Sequence, residues 1–148
     1  MEFPLLLHIL GASILVGGLI TALSFQLFGW ARETPGGAAM LARFGFLSLL
    51  VLALPGWILM RVGAQWIWSE QGWDDVPDEP AWLDIGWMTG DFGLPLILVA
   101  LILAGVGARR LRQGGGTTSG FVRGATVVTA ITLIAYVVAV WAMSAKPD

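Results

Sequence analysis

One uninterrupted apolar stretch decides the class of fold: it spans residues 3–30 and reads FPLLLHILGASILVGGLITALSFQLFGW. It contains no formally charged side chain and exceeds the roughly 20 apolar residues that a helix needs to cross a bilayer. No basic segment precedes it, and it is too long for the apolar core of a cleaved signal peptide. We therefore expect it to remain in the protein as a membrane-spanning helix.

Three further apolar segments of comparable length follow, at about residues 44–68, 84–108 and 124–145. None of them alternates apolar and polar residues with a period of two, which disfavours a β-barrel. Helices satisfy their backbone hydrogen bonds internally, as the interior of a bilayer requires. The sequence therefore predicts an all-α integral membrane protein in which residues 1–148 form a single bundle of four transmembrane helices.

Composition excludes several classes of protein and of site. Hydrophobic residues make up 57% of the chain and charged residues 12%, against about a quarter in soluble domains. This balance excludes both a soluble globular domain and a disordered chain. The net charge of −2 provides no basic footprint for nucleic acid. Without cysteine the chain has no thiolate metal site, and its single histidine, His8, excludes a multi-histidine site within one chain.

The three connections between these segments differ sharply in charge. The connection at residues 31–43 carries two arginines and one acid, and that at 109–123 carries four arginines and no acid. The connection at 69–83 carries five acids and no base. Because lysine and arginine accumulate on the cytoplasmic side, the first and third connections are predicted to lie inside. The second connection and both termini are then predicted to lie outside.

Tryptophan is concentrated near the predicted outer surface. Six of the eight tryptophans fall there: Trp66, Trp68, Trp73, Trp82, Trp87 and Trp141. Indole rings favour the membrane interface, so one interpretation is an aromatic belt. The other is that some of these rings line a site for a flat aromatic ligand.

Ionisable residues inside the apolar segments converge on the predicted outer half and are the candidate site residues. A neutral imidazole is a good ligand for haem iron, so His8 is the candidate metal ligand. The alternative for His8 is a hydrogen bond between helices. Arg61 is interpreted either as reaching the headgroups or as pairing with Asp91 or Asp84. Asp84 is otherwise interpreted as a helix N-cap, and Lys146 as an interfacial anchor.

Several further residues bear on such a site. Methionine could supply a second axial ligand, and Met60, Met88 and Met143 fall in the predicted outer half, although packing is the commoner role. The small residues Gly11 and Gly17–Gly18 let a helix or a macrocycle approach the backbone. The pair Gly86 and Gly90, followed by Gly93, lets helices pack closely, within the bundle or against a partner. Pro55–Gly56 and Pro95 predict kinks.

Short motifs carry a family resemblance. The chain resembles an uncharacterised family of small bacterial four-helix integral membrane proteins at four places: LLHILGA at residues 6–12, LVGG at 15–18, LPG at 54–56 and WAMSAKP at 141–147. The chain more distantly resembles the HemJ-type membrane protoporphyrinogen oxidase and the CopD membrane proteins. This resemblance is carried by His8, Pro55–Gly56 and the WLDI stretch at 82–85.

The resemblance implies a haem-binding role for His8 and a location in the bacterial cytoplasmic (inner) membrane. The oxidase carries a lysine directly after the WLDI-like stretch, where this chain has Gly86. The resemblance therefore implies a haem site rather than the oxidase reaction, and the chain shows no complete catalytic constellation. One histidine and scattered methionines make a poor path for copper.

Two functional hypotheses follow. The first is an accessory or redox subunit that binds haem b or another tetrapyrrole in the outer half, with His8 as ligand. In this hypothesis Arg61 and Asp91 lie near the propionates, since the arginine fork suits carboxylates. The second is a cofactor-free structural subunit of a larger respiratory or photosynthetic complex. The expected partners are the lipid bilayer and either other membrane subunits or further copies of the chain.

Overall fold

The computed structural model describes residues 2–71, 81–114 and 116–146, and nearly all of them are helical. The helices are α1 (Glu2–Trp30), α2 (Pro35–Ser48), a π-helical segment (Leu49–Ala53), α3 (Leu54–Gln71), α4 (Ala81–Gly114) and α5 (Gly120–Ala145). Because α2, the π-helical segment and α3 are continuous, four helical spans are long and apolar enough to cross a membrane. This confirms the predicted all-α class and the predicted number of spans. Trp73 and the acidic residues at 74–79 lie outside the described residues.

The second span begins at Pro35 rather than at about residue 44, so most of the predicted connection at residues 31–43 is helical. Thr34 has an extended backbone (φ −95°, ψ 129°) and occupies the N-cap position. Proline suits the first turn of a helix because the N–H group that it lacks would have no partner there. Helix α4 likewise continues to Gly114, beyond the predicted end at about residue 108. Arginine is a good helix former, so the basic stretch extends the helix past the apolar span.

The kink predicted at Pro55–Gly56 corresponds to a π-helical turn just before the proline. The Leu54 N–H group donates to the Leu49 carbonyl, five residues earlier instead of four. Proline has no N–H group and interrupts the regular α-helical pattern, and a wider turn accommodates that interruption. Pro95, in contrast, lies inside the continuous helix α4.

Helices pack most extensively in two pairs, α1 with α3 and α4 with α5. The two pairs are joined by contacts of α1 with α5 and of α2 with α4. The α1–α3 contact is made by glycines on both helices, Gly11, Gly56 and Gly63, and Gly18 of α1 makes a similar contact with Ala53 of the π-helical segment. A Cβ atom built on Gly11 would lie 2.2 Å from the Met60 nitrogen. The two backbones are therefore in direct contact, which requires the absence of a side chain.

The interior of the bundle is mostly apolar, with Leu15, Leu19, Leu49 and Ile97 fully buried. It also contains the fully buried polar side chains Gln26, Thr129 and Thr132. Large apolar side chains, in contrast, cover much of the outside. Four helices of this length and apolarity, with such side chains on their outside, suit a surface that faces lipid. The ionisable and hydrogen-bonding residues that remain inside this apolar frame define the candidate site.

Candidate functional site

His8 lies on the side of α1 that carries the buried residues Pro4, Gly11 and Leu15, and it is itself half-buried. Its Nδ1 lies 2.9 Å from the Met60 carbonyl oxygen on α3. A carbonyl oxygen only accepts hydrogen bonds, so Nδ1 must donate and carry the proton. In the neutral ring, Nε2 then keeps its lone pair. This hydrogen bond therefore selects the tautomer in which Nε2 can bind a metal ion.

The backbone around His8 is tightly packed against α3. A Cβ atom built on Gly63 would lie 2.5 Å from the His8 nitrogen, so the helices touch at this level. No macrocycle fits between α1 and α3 there. The ring of His8 has the hydrogen-bonding state of a haem ligand, but a haem would have to approach it from a side other than the α1–α3 contact.

Arg61 on α3 forms an ion pair with Asp91 on α4 through its Nη2 atom. Its guanidinium carbon also lies 4.0 Å from the ring centroid of Trp87, within the range of a cation–π contact. Of the two acids considered from the sequence, the structure pairs Arg61 with Asp91. Asp84 lies within the first turn of α4, which begins at Ala81, so the prediction that Asp84 is an N-cap is wrong.

Two residues at the inter-helix contacts were not singled out from the sequence. The Trp57 indole N–H donates to the Gly90 carbonyl at 3.0 Å and links α3 to α4. Tyr136 on α5 is 3% exposed, and its hydroxyl packs against Gly93 on α4. The available signals were that Tyr136 is the only tyrosine and that Trp57 stands inside a span, away from the interface.

The candidate residues fall on two different sides of α3. Met60 and Gly63 face α1 and contact His8, whereas Trp57 and Arg61 face α4. We call Trp57, Arg61, Trp87 and Asp91 the α3–α4 cluster. The structure thus brings Arg61 and Asp91 together and places His8 on the opposite helix contact. The cluster offers a guanidinium beside aromatic rings, a combination suited to a carboxylate on a flat ligand.

The methionines considered as axial ligands have different environments. Met60 is buried in the core, and it is the main-chain carbonyl of this residue that contacts His8. The Met143 methyl group packs on Gly86, since a Cβ atom built there would lie 2.1 Å from it. Met88 is exposed. Gly86 therefore accommodates the Met143 side chain. This is the position at which the HemJ-type oxidase has a lysine.

Among the described residues, the tryptophans predicted to lie near the outer surface divide into two sets. Trp87 packs edge-on against Trp68, with ring centroids 5.0 Å apart, in addition to its contact with Arg61. Trp66 and Trp141 are exposed on the bundle surface. Lys146, interpreted from the sequence as an anchor, has its Nζ atom 5.2 Å from the Trp82 ring centroid. The exposed rings suit an interfacial belt, and the packed rings suit a wall of the α3–α4 cluster.

Replacing Gly93 by alanine should lower the free energy of unfolding by about 1–3 kcal/mol, since the new Cβ overpacks the core. That atom would lie 1.8 Å from the Tyr136 hydroxyl oxygen and 2.7 Å from the ring carbon that bears it. Tyr136→Phe removes the oxygen and should recover part of the loss in the double variant. Unfolding in mixed micelles measures all four proteins. Simple additivity of the two changes would contradict the predicted contact.

Among the described residues, no group of three or more histidine, aspartate or glutamate side chains is placed to hold a metal ion. Comparison of the chain with protein families, with curated proteins and with solved structures gives no match. The resemblance to the HemJ-type oxidase and to the CopD proteins therefore stays a prediction. The functional argument depends on the geometry of His8 and of the α3–α4 cluster.

Proposed function

We propose that this chain is a small accessory or redox subunit of a membrane system and binds a b-type haem, or another tetrapyrrole, through His8. The observation that carries the proposal is the hydrogen bond from His8 Nδ1 to the Met60 carbonyl. Histidines that bind metals usually donate their second N–H to a carbonyl or carboxylate, which fixes the ring and makes the ligating nitrogen more basic. His8 has this arrangement.

The roles of the chain's own residues follow from that assignment. His8 Nε2 would hold the iron, and Met60 would orient the imidazole through its carbonyl. Arg61 would attract a propionate in competition with its partner Asp91, and the haem would have to reach around α3 from His8 to make that contact. A bound haem supplies one-electron transfer, and its axial ligand and surroundings set its potential. The charge of the connections supports a site in the outer half of a bacterial inner-membrane protein with both termini outside.

The alternative is a cofactor-free structural subunit of a larger respiratory or photosynthetic complex. The same His8–Met60 hydrogen bond favours it, because that bond also serves as a polar link between α1 and α3 without any cofactor. In this alternative the exposed apolar faces contact neighbouring subunits as well as lipid. The two functions differ in whether the purified chain absorbs visible light.

The deciding measurement is an absorption spectrum of protein expressed with ample haem, oxidised and then reduced with dithionite. We expect a Soret band and sharp reduced α and β bands in the unmodified protein. His8→Gln should abolish these bands while keeping a side chain that can donate to Met60. His8→Gly supplemented with free imidazole should recover them, because the small ligand replaces the lost ring.

Two results would decide against the haem function. A featureless visible spectrum from haem-replete protein would assign the chain to the cofactor-free alternative. An unchanged Soret band in His8→Gln would show that another group holds the iron. Ser13→Ala is the matched control, because Ser13 lies on the same helix, is exposed, and bonds only its own helix at the Ile9 carbonyl. Its spectrum should equal that of the unmodified protein.

A further inference from the structure

A cleft of about 540 Å³ lies at the opposite end of the bundle from His8, where the end of α4 meets the start of α5. Its principal lining residues are Leu103, Arg110, Leu111, Thr118, Ser119 and Phe121. One part of this lining is apolar, and the other carries a guanidinium and two hydroxyl groups. A ligand for this cleft must therefore combine an anionic or polar group with an apolar portion.

The polar part of the cleft includes the N-terminus of α5. Ser119 has an extended backbone (φ −142°, ψ 132°), and its side chain makes no capping hydrogen bond. The first backbone bond of the helix runs from Arg123 N–H to the Ser119 carbonyl at 3.1 Å. The N–H groups before Arg123 in this first turn have no partner within the helix, and the helix dipole adds partial positive charge there. Such a terminus favours a phosphate.

Arg110 adds a full positive charge at the same place. Its guanidinium carbon lies 4.5 Å from the ring centroid of Phe121, so the side chain is held over the start of α5. Within residues 2–71, 81–114 and 116–146, no acid forms an ion pair with Arg110. An anion in the cleft would therefore meet a guanidinium that is not already neutralised.

A second observation, independent of the helix terminus, comes from Gln26 on α1. Its side chain is 1% exposed, and neither its amide nitrogen nor its amide oxygen has a hydrogen-bond partner in the described chain. Gln26 lines a small cavity of about 10 Å³ together with Thr118, Ser119 and Arg123. That volume is close to what one hydroxyl group or water molecule needs. Buried polar groups without partners are costly, so a ligand hydroxyl at this position is favoured.

The small cavity and the cleft share three lining residues, Leu111, Thr118 and Ser119. The apolar wall, the phosphate-favouring helix start with Arg110 and the hydroxyl-sized cavity at Gln26 are therefore neighbouring features at this end of the bundle. A phospholipid with a polyol headgroup carries three matching groups: an acyl chain, a phosphate and a hydroxyl. The four arginines of residues 109–123 place this end on the cytoplasmic side, where anionic lipid is abundant.

We propose that this cleft is a binding site for an anionic phospholipid, with the phosphate on Arg110 and the α5 N-terminus and a headgroup hydroxyl on Gln26. Leu103 and Phe121 contact the glyceride and the start of the acyl chains. The same phosphate chemistry exists in soluble phosphate esters. The apolar wall of the cleft favours the lipid source.

Native mass spectrometry of the full, delipidated chain titrated with phosphatidylglycerol or phosphatidylcholine tests the proposal. We expect phosphatidylglycerol to bind at least tenfold more tightly than phosphatidylcholine. Arg110→Ala should weaken phosphatidylglycerol binding about tenfold, as expected for loss of a charge-assisted contact. Arg109→Ala removes the same charge one residue earlier from a side chain that does not line the cleft, and it should change binding less than twofold.

Gln26→Leu is the second variant, and it removes the side-chain amide that would contact a headgroup hydroxyl. It should abolish the preference for phosphatidylglycerol over phosphatidate, which lacks a headgroup hydroxyl, while leaving phosphatidate binding unchanged. Equal losses in Arg110→Ala and Arg109→Ala would show general surface attraction and overturn the site. Displacement of the lipid by micromolar sn-glycerol 3-phosphate would assign the cleft to a soluble ester and overturn the lipid assignment.

Discussion

Replacing Gly11 by alanine is expected to lower the free energy of unfolding by about 3 kcal/mol, at the upper end of overpacking costs. The added Cβ would lie 2.2 Å from the Met60 nitrogen and 2.7 Å from the Met60 Cα. Both are backbone atoms of α3, so no rotamer change can make room. The α1–α3 contact must open along its length, because Gly56 and Gly63 maintain the same close approach.

Reversible unfolding in mixed micelles of rising dodecyl sulfate fraction measures this loss. A second readout is the ¹⁵N spectrum of the imidazole, which is unambiguous because His8 is the only histidine. Opening of α1 from α3 removes the hydrogen bond to the Met60 carbonyl. The spectrum should therefore change from one tautomer, with the proton on Nδ1, to a mixture of both.

Gly17→Ala is the matched control for Gly11→Ala. It makes the same chemical change on the same helix, but a Cβ atom at Gly17 would meet nothing within 4 Å. Alanine has the higher helix propensity, so this variant should be neutral or more stable by up to about 1 kcal/mol. Equal destabilisation by the two substitutions would contradict the assignment of Gly11 to the helix contact.

The four spans could be predicted from the sequence because each depends only on a long apolar run. Both ends of α1 and the end of α5 were also predicted closely. The start of the second span and the end of α4 were not, because apolarity stops before the helix does. Helix α4 extends through Arg109 and Arg112 to Gly114, since a helix gains the same backbone bonds from polar residues outside the membrane. Pro35 likewise starts a helix where a proline followed by glycines resembles a turn.

Glycine spacing identified close packing but not its partner. The Gly86–Gly90 pair has the spacing of a helix-contact motif, yet both residues meet side chains, of Met143 and Arg61 respectively. Backbone contact is made instead by glycines of α1 and α3, among them Gly11. Whether a glycine faces a backbone or a long side chain depends on the rotation and depth of the neighbouring helix. Local sequence does not determine either.

The partner of Arg61 was left open between Asp84 and Asp91 for a similar reason. These acids are seven residues apart, which is about two turns, so they lie on nearly the same side of α4. Only the relative depth of α3 and α4 selects Asp91. Trp57 and Tyr136 were missed because aromatic residues inside an apolar span contribute to its hydropathy, which hides the hydrogen-bonding atoms at their tips.

Removal of the Asp91 carboxylate, by Asp91→Asn, is expected to cost about 2 kcal/mol of unfolding free energy, because it leaves the Arg61 guanidinium without its counter-charge. Exposed pairs in water contribute much less, about 0–1 kcal/mol. This pair is different because Arg61 is only 25% exposed and lies against Trp87 in a helix that is long and apolar enough to cross a membrane. Arg61→Met should cost less, since Asp91 is 61% exposed and keeps more of its solvation.

The double variant Arg61→Met/Asp91→Asn separates the pair energy from the effects of each side chain. We expect it to be more stable than the sum of the single losses predicts, with a coupling energy of about 1–2 kcal/mol. Asp84→Asn is the control, because the Asp84 carboxylate lies on the same side of α4 but does not pair with Arg61. It should cost about 0.5 kcal/mol, the usual value for an acid in the first turn of a helix. Additive single losses, or an equal loss in Asp84→Asn, would show that α3 and α4 are held together by their aromatic contacts alone. In that case Arg61 would extend toward the headgroups instead of pairing within the bundle.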